Sequence, residues 1–384
     1  MSKMMKERLE WRELLLTFFL LTISLFLLSG CSDNTVNLPE KEKIIPPKKV
    51  IVEKKQSDSI IYPISVPDGE FFQLVGLIDN QSAIYIANLQ EGSKVFKYDL
   101  YSGKSNVIHE SQHPIVNCHL SPSRSKIVIH AAPSTYEGAI TVIDLSGMEI
   151  WKYSIPSVEL AFEWNPYNED EILVSSFNED WTYKLFLLDM KGKHIQDIDS
   201  PQPFVKWLNK DEIGYIKWDE DNPELFAPLA SKNIRTGDER ILLEHVFQFS
   251  AYKDRLLTIT SNDSDDSMAD YSFFDMQMNK LHSFQVPQLT RFSDWLIPYY
   301  EFVESEKRLF MFVPFRSGDA DSYQEGFQLM SFDLEKGKQE KILDGIEKNE
   351  PISCSPDGEL CLLGNQLENL ILMKEKKIID LYKE

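Results

Sequence analysis

Seven times between residue 70 and the C-terminus, a run of β-forming residues reaches a tight polar turn and a second such run follows. The turns centre on Asn80, Pro122, Pro166, Asn209, Lys253, Ser305 and Pro356. Their spacing of about 42–52 residues is the period of a repeat architecture. Ser121-Pro122, Asn165-Pro166 and Ser355-Pro356-Asp357-Gly358 supply residues that preset or tolerate turn dihedrals. A second turn trails each first one, after a run ending in Asp: Tyr98-Asp99-Leu100 before Gly103-Lys104, Ile143-Asp144-Leu145 before Gly147, Leu188-Asp189-Met190 before Gly192-Lys193, and Phe332-Asp333-Leu334 before Gly337-Lys338. Asn233 with Gly237, and Asp275 with Asn279, are weaker copies. An Asp that opens a turn and a Gly in the left-handed position suit a short hairpin. Each unit therefore reads as four short strands in a meander.

One such sheet cannot cover both of its faces, and stacking copies in a ring buries them all. The expected fold is all-β: a β-propeller of seven four-stranded antiparallel blades, or six if the first or fifth unit is incomplete. A pair of β-sandwiches also uses short strands at close spacing, but both turn types recur in phase, which favours the ring.

The N-terminus argues for a location. An unbroken apolar run from Leu14 to Leu28 follows Lys3, Lys6, Arg8 and Arg12 and ends at Leu28-Ser29-Gly30-Cys31. A charged start, a short apolar segment and a small-residue cleavage site make a secretory signal. The run is shorter than the roughly 20 residues that a membrane span needs. Leu28, Ser29 and Gly30 resemble the lipobox of bacterial lipoproteins, which implies cleavage before Cys31 and lipid on its thiol. Residues 1–30 are then a signal peptide, 31–66 a tether and 67–384 the propeller. The tether holds Pro39, Pro46, Pro47 and Pro63 and Lys41, Lys43, Lys48, Lys49, Lys54 and Lys55. It buries too little to fold alone, and its lysines suit an anionic membrane or wall. Part of it, Lys49 to Glu53 or Ile60 to Val66, alternates well enough to add a strand to the body.

Ser-Pro-Asp-Gly turns paired with a Tyr-Asp-Leu-x-x-Gly-Lys hairpin resemble TolB-type and WD40-like propeller repeats. Joined to the lipobox and the Lys/Pro tether, they make the chain similar to the YqgU-like propeller lipoproteins of Bacillus-type bacteria. That resemblance implies six blades, an extracytoplasmic place at the cell membrane and a lipid anchor on Cys31. It hands over no catalytic residues.

The formal net charge is −21. Such a surface repels phosphate backbones, which argues against nucleic-acid partners, and it suits a basic partner. Apart from Cys31, the cysteines are Cys118, Cys354 and Cys361. They read as three small buried hydrophobes, with a cross-strand Cys354–Cys361 pair as the alternative; none has zinc-ligand spacing.

In a meander blade, the loop between the second and third strands shares a face with the connection to the next blade. That face collects the longest loops, which are acidic: Asp180 beside Trp181, Asp219 and Asp221, Asp263 and Asp265, and Asp319, Asp321 and Tyr323. Trp218, Tyr271 and Phe315 are interleaved with them. Loops on a rigid scaffold are where binding concentrates. We therefore expect a non-catalytic binding or scaffold module whose acidic, aromatic face engages a protein or cell-envelope ligand. No cofactor is expected. Calcium is a weak alternative, with oxygens from Asp263, Asp265, Asp270, Asp319 and Asp321, but an EF-hand needs Gly at its sixth position and Met268 stands there. The seven histidines are scattered, and no G-x-S-x-G elbow or P-loop exists. The competing class is a cell-envelope hydrolase using funnel carboxylates, Asp219 with Asp263 for instance. Trp164, Trp207 and Phe274 read as core.

Overall fold

The computed structural model describes residues 59–219, 221, 224–292 and 294–383. Within them lie seven four-stranded antiparallel sheets at 70–111, 115–156, 159–198, 206–246, 248–287, 300–346 and 352–380. In each, spatial order follows chain order, so every blade is a plain meander. Blades are numbered 1 to 7 in chain order. The first-strand turns read from the sequence fall between the first and second strands of all seven blades, and the Asp-opened turns fall between the third and fourth.

The ring is closed. The innermost strand of blade 1, Glu70–Leu77, packs against those of blade 2, Ile115–Leu120, and blade 7, Ile352–Cys354. Seven apolar clusters fill the structure, one at each interface between neighbouring blades. Between blades 1 and 2, for example, Ile84, Ile86 and Val95 meet Ile115, Ile127 and Ile129. Sheets covered on both faces lose the alternation of a half-solvated strand. The second strand of blade 3, Glu171–Phe177, is buried at every position, whereas its outermost strand, His194–Ile198, is mostly exposed. Trp164, Trp207 and Phe274 are buried as expected.

Among the described residues, no strand is exchanged at the seam between blades 1 and 7. Residues 59–66, placed in the tether by the sequence, instead run along it without forming a strand. Ile61 N donates to Leu100 O (2.7 Å), Ile64 N donates to Leu381 O (2.8 Å), and Tyr98 Oη donates to Ile61 O (2.6 Å). Phe71 stacks on Tyr382 with ring centres 3.9 Å apart.

The turns between third and fourth strands share one device. Asp99, Asp144, Asn233, Asp275 and Asp333 each accept backbone N–H groups of their own turn through Oδ1. The same turns place one residue in the left-handed region, Gly103, Gly237 and Gly337 among them, but Lys193, Met278 and Lys376 in blades 3, 5 and 7. This is the conformation that a side chain disfavours and glycine tolerates.

Two features depart from expectation. Cys354 and Cys361 are joined by a disulfide, so three independent buried thiols is corrected to one. They are direct partners in adjacent strands, and directly opposed cross-strand residues bring their Cβ atoms close. Cys118 is free and buried, as expected. The second departure is a small three-stranded sheet of Leu289–Thr290, Trp295–Leu296 and Gly318–Asp319, inserted between blades 5 and 6. It and the long 315–326 loop account for the wider spacing of the last turns.

Candidate functional site

The meander sorts connections onto two faces. Tight hairpins between strands one and two, and three and four, form a turn face. Loops between strands two and three, with the blade-to-blade connections, form a loop face.

The loop-face acids belong to four consecutive blades, 3 to 6, and most are held by their own loops. In blade 3, Asn178 Nδ2 donates to Thr182 Oγ1 (2.8 Å), and Thr182 N and Oγ1 donate to Asp180 Oδ1 (3.1 and 2.6 Å). The Thr182 hydroxyl is the main cause that holds the Asp180 carboxyl below its ordinary value. In blade 4, Asp219 Oδ1 accepts Asp221 N (3.0 Å). In blade 5, Asp265 Oδ1 accepts Ser267 N and Oγ (2.9 and 2.6 Å), and the Ser267 hydroxyl lowers its pKa. Asp263 is exposed beside it. In blade 6, Asp319 Oδ1 accepts Asp321 N and Ser322 N (both 3.0 Å), and Asp321 lies 3.8 Å from Arg291.

Aromatic side chains stand among these acids. Every exposed Trp and Phe among the described residues lies on the loop face: Trp181, Phe204, Trp218, Phe292 and Phe315. Trp181 and Phe204 each keep 69% of their surface accessible. Trp181 adopts φ +64°, a conformation rare for a non-glycine residue, and packs edge-on to Phe177 at 6.0 Å. Two open grooves flank it. One of about 430 Å³ is lined by Tyr136, Val158, Glu179 and Asp180. The other, about 730 Å³, is lined by Asp180, Trp181, Tyr183, Asp197 and Asp199.

Two sequence expectations need correction here. Tyr271 is core, not face: it is buried in the third strand of blade 5, stacked on Phe284 at 5.5 Å, because strand alternation turns it inward. Tyr323 is half-buried and its hydroxyl is committed, accepting Phe315 N (2.8 Å) and donating to Gly326 O (2.9 Å); it shapes its loop. Asp219 and Asp263 lie on the loops between the second and third strands of the neighbouring blades 4 and 5. Among the described residues, no three His, Cys, Asp or Glu side chains gather where they could hold a metal ion. Leu28, Ser29, Gly30, Cys31 and the Lys49–Glu53 stretch lie outside the described residues.

The axis holds groups that the sequence did not mark. Glu163 of blade 3 and Lys206 of blade 4 pair at 2.6 Å on adjacent innermost strands. Lys206 keeps 44% of its side-chain surface accessible although blades surround it, because it faces the axial channel. At the turn-face end, a cavity of about 630 Å³ is lined by His119, Arg124, Glu169, Tyr252, Glu301 and Glu304. Burial raises the Glu301 carboxyl to about 7, with nearby Arg124 and a hydrogen bond from Cys354 N opposing that rise. Arg124, in a left-handed turn position, donates to Leu77 O of blade 1 and to Cys354 O of blade 7 (2.7 Å). It thus ties three blades at the seam. Burial lowers His119 and takes His130 down to about 4, so both imidazoles are neutral at pH 7. Apart from His130, on the second strand of blade 2, each of these residues is local to one innermost strand or the turn after it, and ring closure brings them together.

Comparison with known proteins agrees with this architecture. The chain is 23% identical over 357 residues to the uncharacterized lipoprotein YqgU of Bacillus subtilis (strain 168), covering 93% of this chain and 94% of that protein. It is similar in fold to an uncharacterized protein of Listeria monocytogenes EGD-e, with a TM-score of 0.76 at 20% identity over 84% of this chain and 98% of that one. The β-propeller domain of the Trilobed protease from Pyrococcus furiosus, described as having an open velcro topology, gives a TM-score of 0.55 at 13% identity, covering 82% of this chain and 98% of that domain. The YqgU-like 6-bladed β-propeller domain model matches residues 99–364. That span contains blades 2 to 6 whole and parts of blades 1 and 7, against seven four-stranded sheets in the structure. With more than half of its length matched, the chain belongs to the family of YqgU-like 6-bladed β-propeller domains.

Proposed function

We propose that this protein is a lipid-anchored propeller on the outer side of the cytoplasmic membrane, acting without catalysis as a binding or scaffold module, and that its loop face engages a basic protein partner. The lipobox-like Leu28 to Cys31 and the lipoprotein name of the B. subtilis relative support the anchor. The observation that carries the binding role is the gathering of every exposed Trp and Phe among the described residues on one face, among carboxylates. Exposed apolar side chains gathered on one face and rimmed by polar residues mark interaction surfaces, whereas singly scattered ones need no explanation. Ring faces attract Lys and Arg side chains, and carboxylates add charge complementarity.

The test is a pull-down from membranes with the wild-type chain and with Asp263, Asp265, Asp319 and Asp321 all replaced by Ala. Loss of a partner held by the wild type supports the assignment. An unaltered set of partners rejects it.

A further inference from the structure

The turn-face cavity on the axis holds two opposite charges that do not pair. Six of the seven blades line it, and its volume of about 630 Å³ lies in the range of small-molecule sites. Arg124 of blade 2 and Glu301 of blade 6 both face it. The Arg124 guanidinium donates to two backbone carbonyls, Leu77 O and Cys354 O, and not to the Glu301 carboxylate. Glu301 takes the N–H of Cys354 instead. Enclosed opposite charges ordinarily pair with each other. The other carboxyls on the lining are committed: Glu169 accepts Ser123 N and Oγ (both 2.6 Å), and Glu304 accepts Lys253 N. The His119 imidazole and the Ser353 hydroxyl, also on the lining, make no hydrogen bond among the described residues. Between these polar groups the wall is apolar, from Val75, Leu120, Phe302 and the ring of Tyr252.

We propose that this cavity binds a small zwitterion with an apolar side chain, an amino acid or a dipeptide, with its carboxylate on Arg124 and its ammonium on Glu301. A guanidinium carries five N–H donors, so two carbonyl bonds leave Arg124 donors for a carboxylate. Burial raises the Glu301 carboxyl to about 7, and an ammonium at hydrogen-bond distance favours its charged form. His119 and Ser353 supply further hydrogen bonds, and the apolar wall receives the side chain. The alternatives match less well. A simple anion would leave Glu301 uncompensated, a simple amine would meet the Arg124 charge, and a neutral apolar molecule would desolvate both charges without pairing either. The site belongs to the axis, apart from the proposed partner face, so its occupant adds to the stability of the ring and leaves the loop face as it is.

The experiment titrates leucine, phenylalanine and leucyl-leucine into the full chain by calorimetry at neutral pH. Saturable heat from at least one of them is expected, with a matching rise in melting temperature. The N-acetyl form of that compound, which lacks the ammonium, and its C-terminal amide, which lacks the carboxylate, should each bind about 10-fold or more weakly. Glu301→Gln should abolish the penalty for N-acetylation and keep the penalty for amidation, a selective change that general damage to the ring would not produce. No saturable heat from any of the three overturns the proposal, and so does an N-acetyl form that binds as well as its parent. A Gln variant that keeps the full N-acetyl penalty overturns the placing of the ammonium on Glu301. Tighter binding of leucyl-leucine than of either single amino acid supports peptides as the source of the ligand, and the reverse order supports free amino acids.

Discussion

The two faces of the ring are made from the same strands and follow opposite rules. On the turn face, connections are a few residues long, their Asp side chains are consumed by their own backbone N–H groups, and no Trp or Phe among the described residues is exposed. On the loop face, connections reach a dozen residues, carry an extra small sheet, and leave Trp181, Phe204 and Phe292 in solvent. The turn face repeats because each blade meets the same geometric demand there. The loop face differs blade by blade because nothing in the ring demands a particular loop. Stability should therefore concentrate on the axis and the turn face, and recognition on the loop face.

The comparison is easiest to break at the core. Trp207→Ala, at the turn-face end of the blade 4 innermost strand, is expected to cost about 3–5 kcal/mol in chemical denaturation. Partner affinity per folded molecule should not change, and weakened binding at full stability would erase the division between faces. Glu301→Gln tests the axis. The folded ring raises this carboxyl from the ordinary carboxylate range to about 7, so the folded state keeps a proton that the unfolded chain releases. That contribution is present at low pH, falls as pH climbs through 7, and is flat above it. The Gln variant should thus exceed wild type at pH 8 by up to about 3 kcal/mol, and match it near pH 4. An offset that is the same at both pH values would contradict the assignment. Asp99→Ala, which frees Tyr101 N and Ser102 N of one turn, should cost about 1 kcal/mol in thermal unfolding. Trp181→Ala should move stability by no more than about 0.5 kcal/mol while weakening capture of the partner. A larger loss would make the exposed indole a structural part of its blade.

Legibility in the sequence followed the same division. Asn80, Pro122 and Pro356 announced their turns because a turn is specified by the residues within it. The apolar runs of the second strands announced burial on both sides. The acidic loops were visible as composition, yet composition could not tell Tyr323, whose hydroxyl is spent on its own loop, from Trp181, which projects. Tyr271 looked like a loop aromatic and is core, because a single residue of strand register decides which way a ring points. The axial groups were illegible for a different reason. Arg124, Glu301 and Cys354 meet across 230 residues of sequence, and nothing near any one of them refers to the others. The Cys354–Cys361 bond was readable as a pairing and undervalued, since direct opposition across two strands is a stronger hint than an odd cysteine count.

The seam has a consequence for how such a body is made. A ring that borrowed a strand from its far end would have to wait for the whole chain before its first sheet was complete. Here each sheet is sewn from consecutive sequence, so a polypeptide emerging from its N-terminus can pair the strands of one blade before those of the next arrive. Only the final apolar joint, where Ile64 meets Leu381, stays open until the last residues emerge.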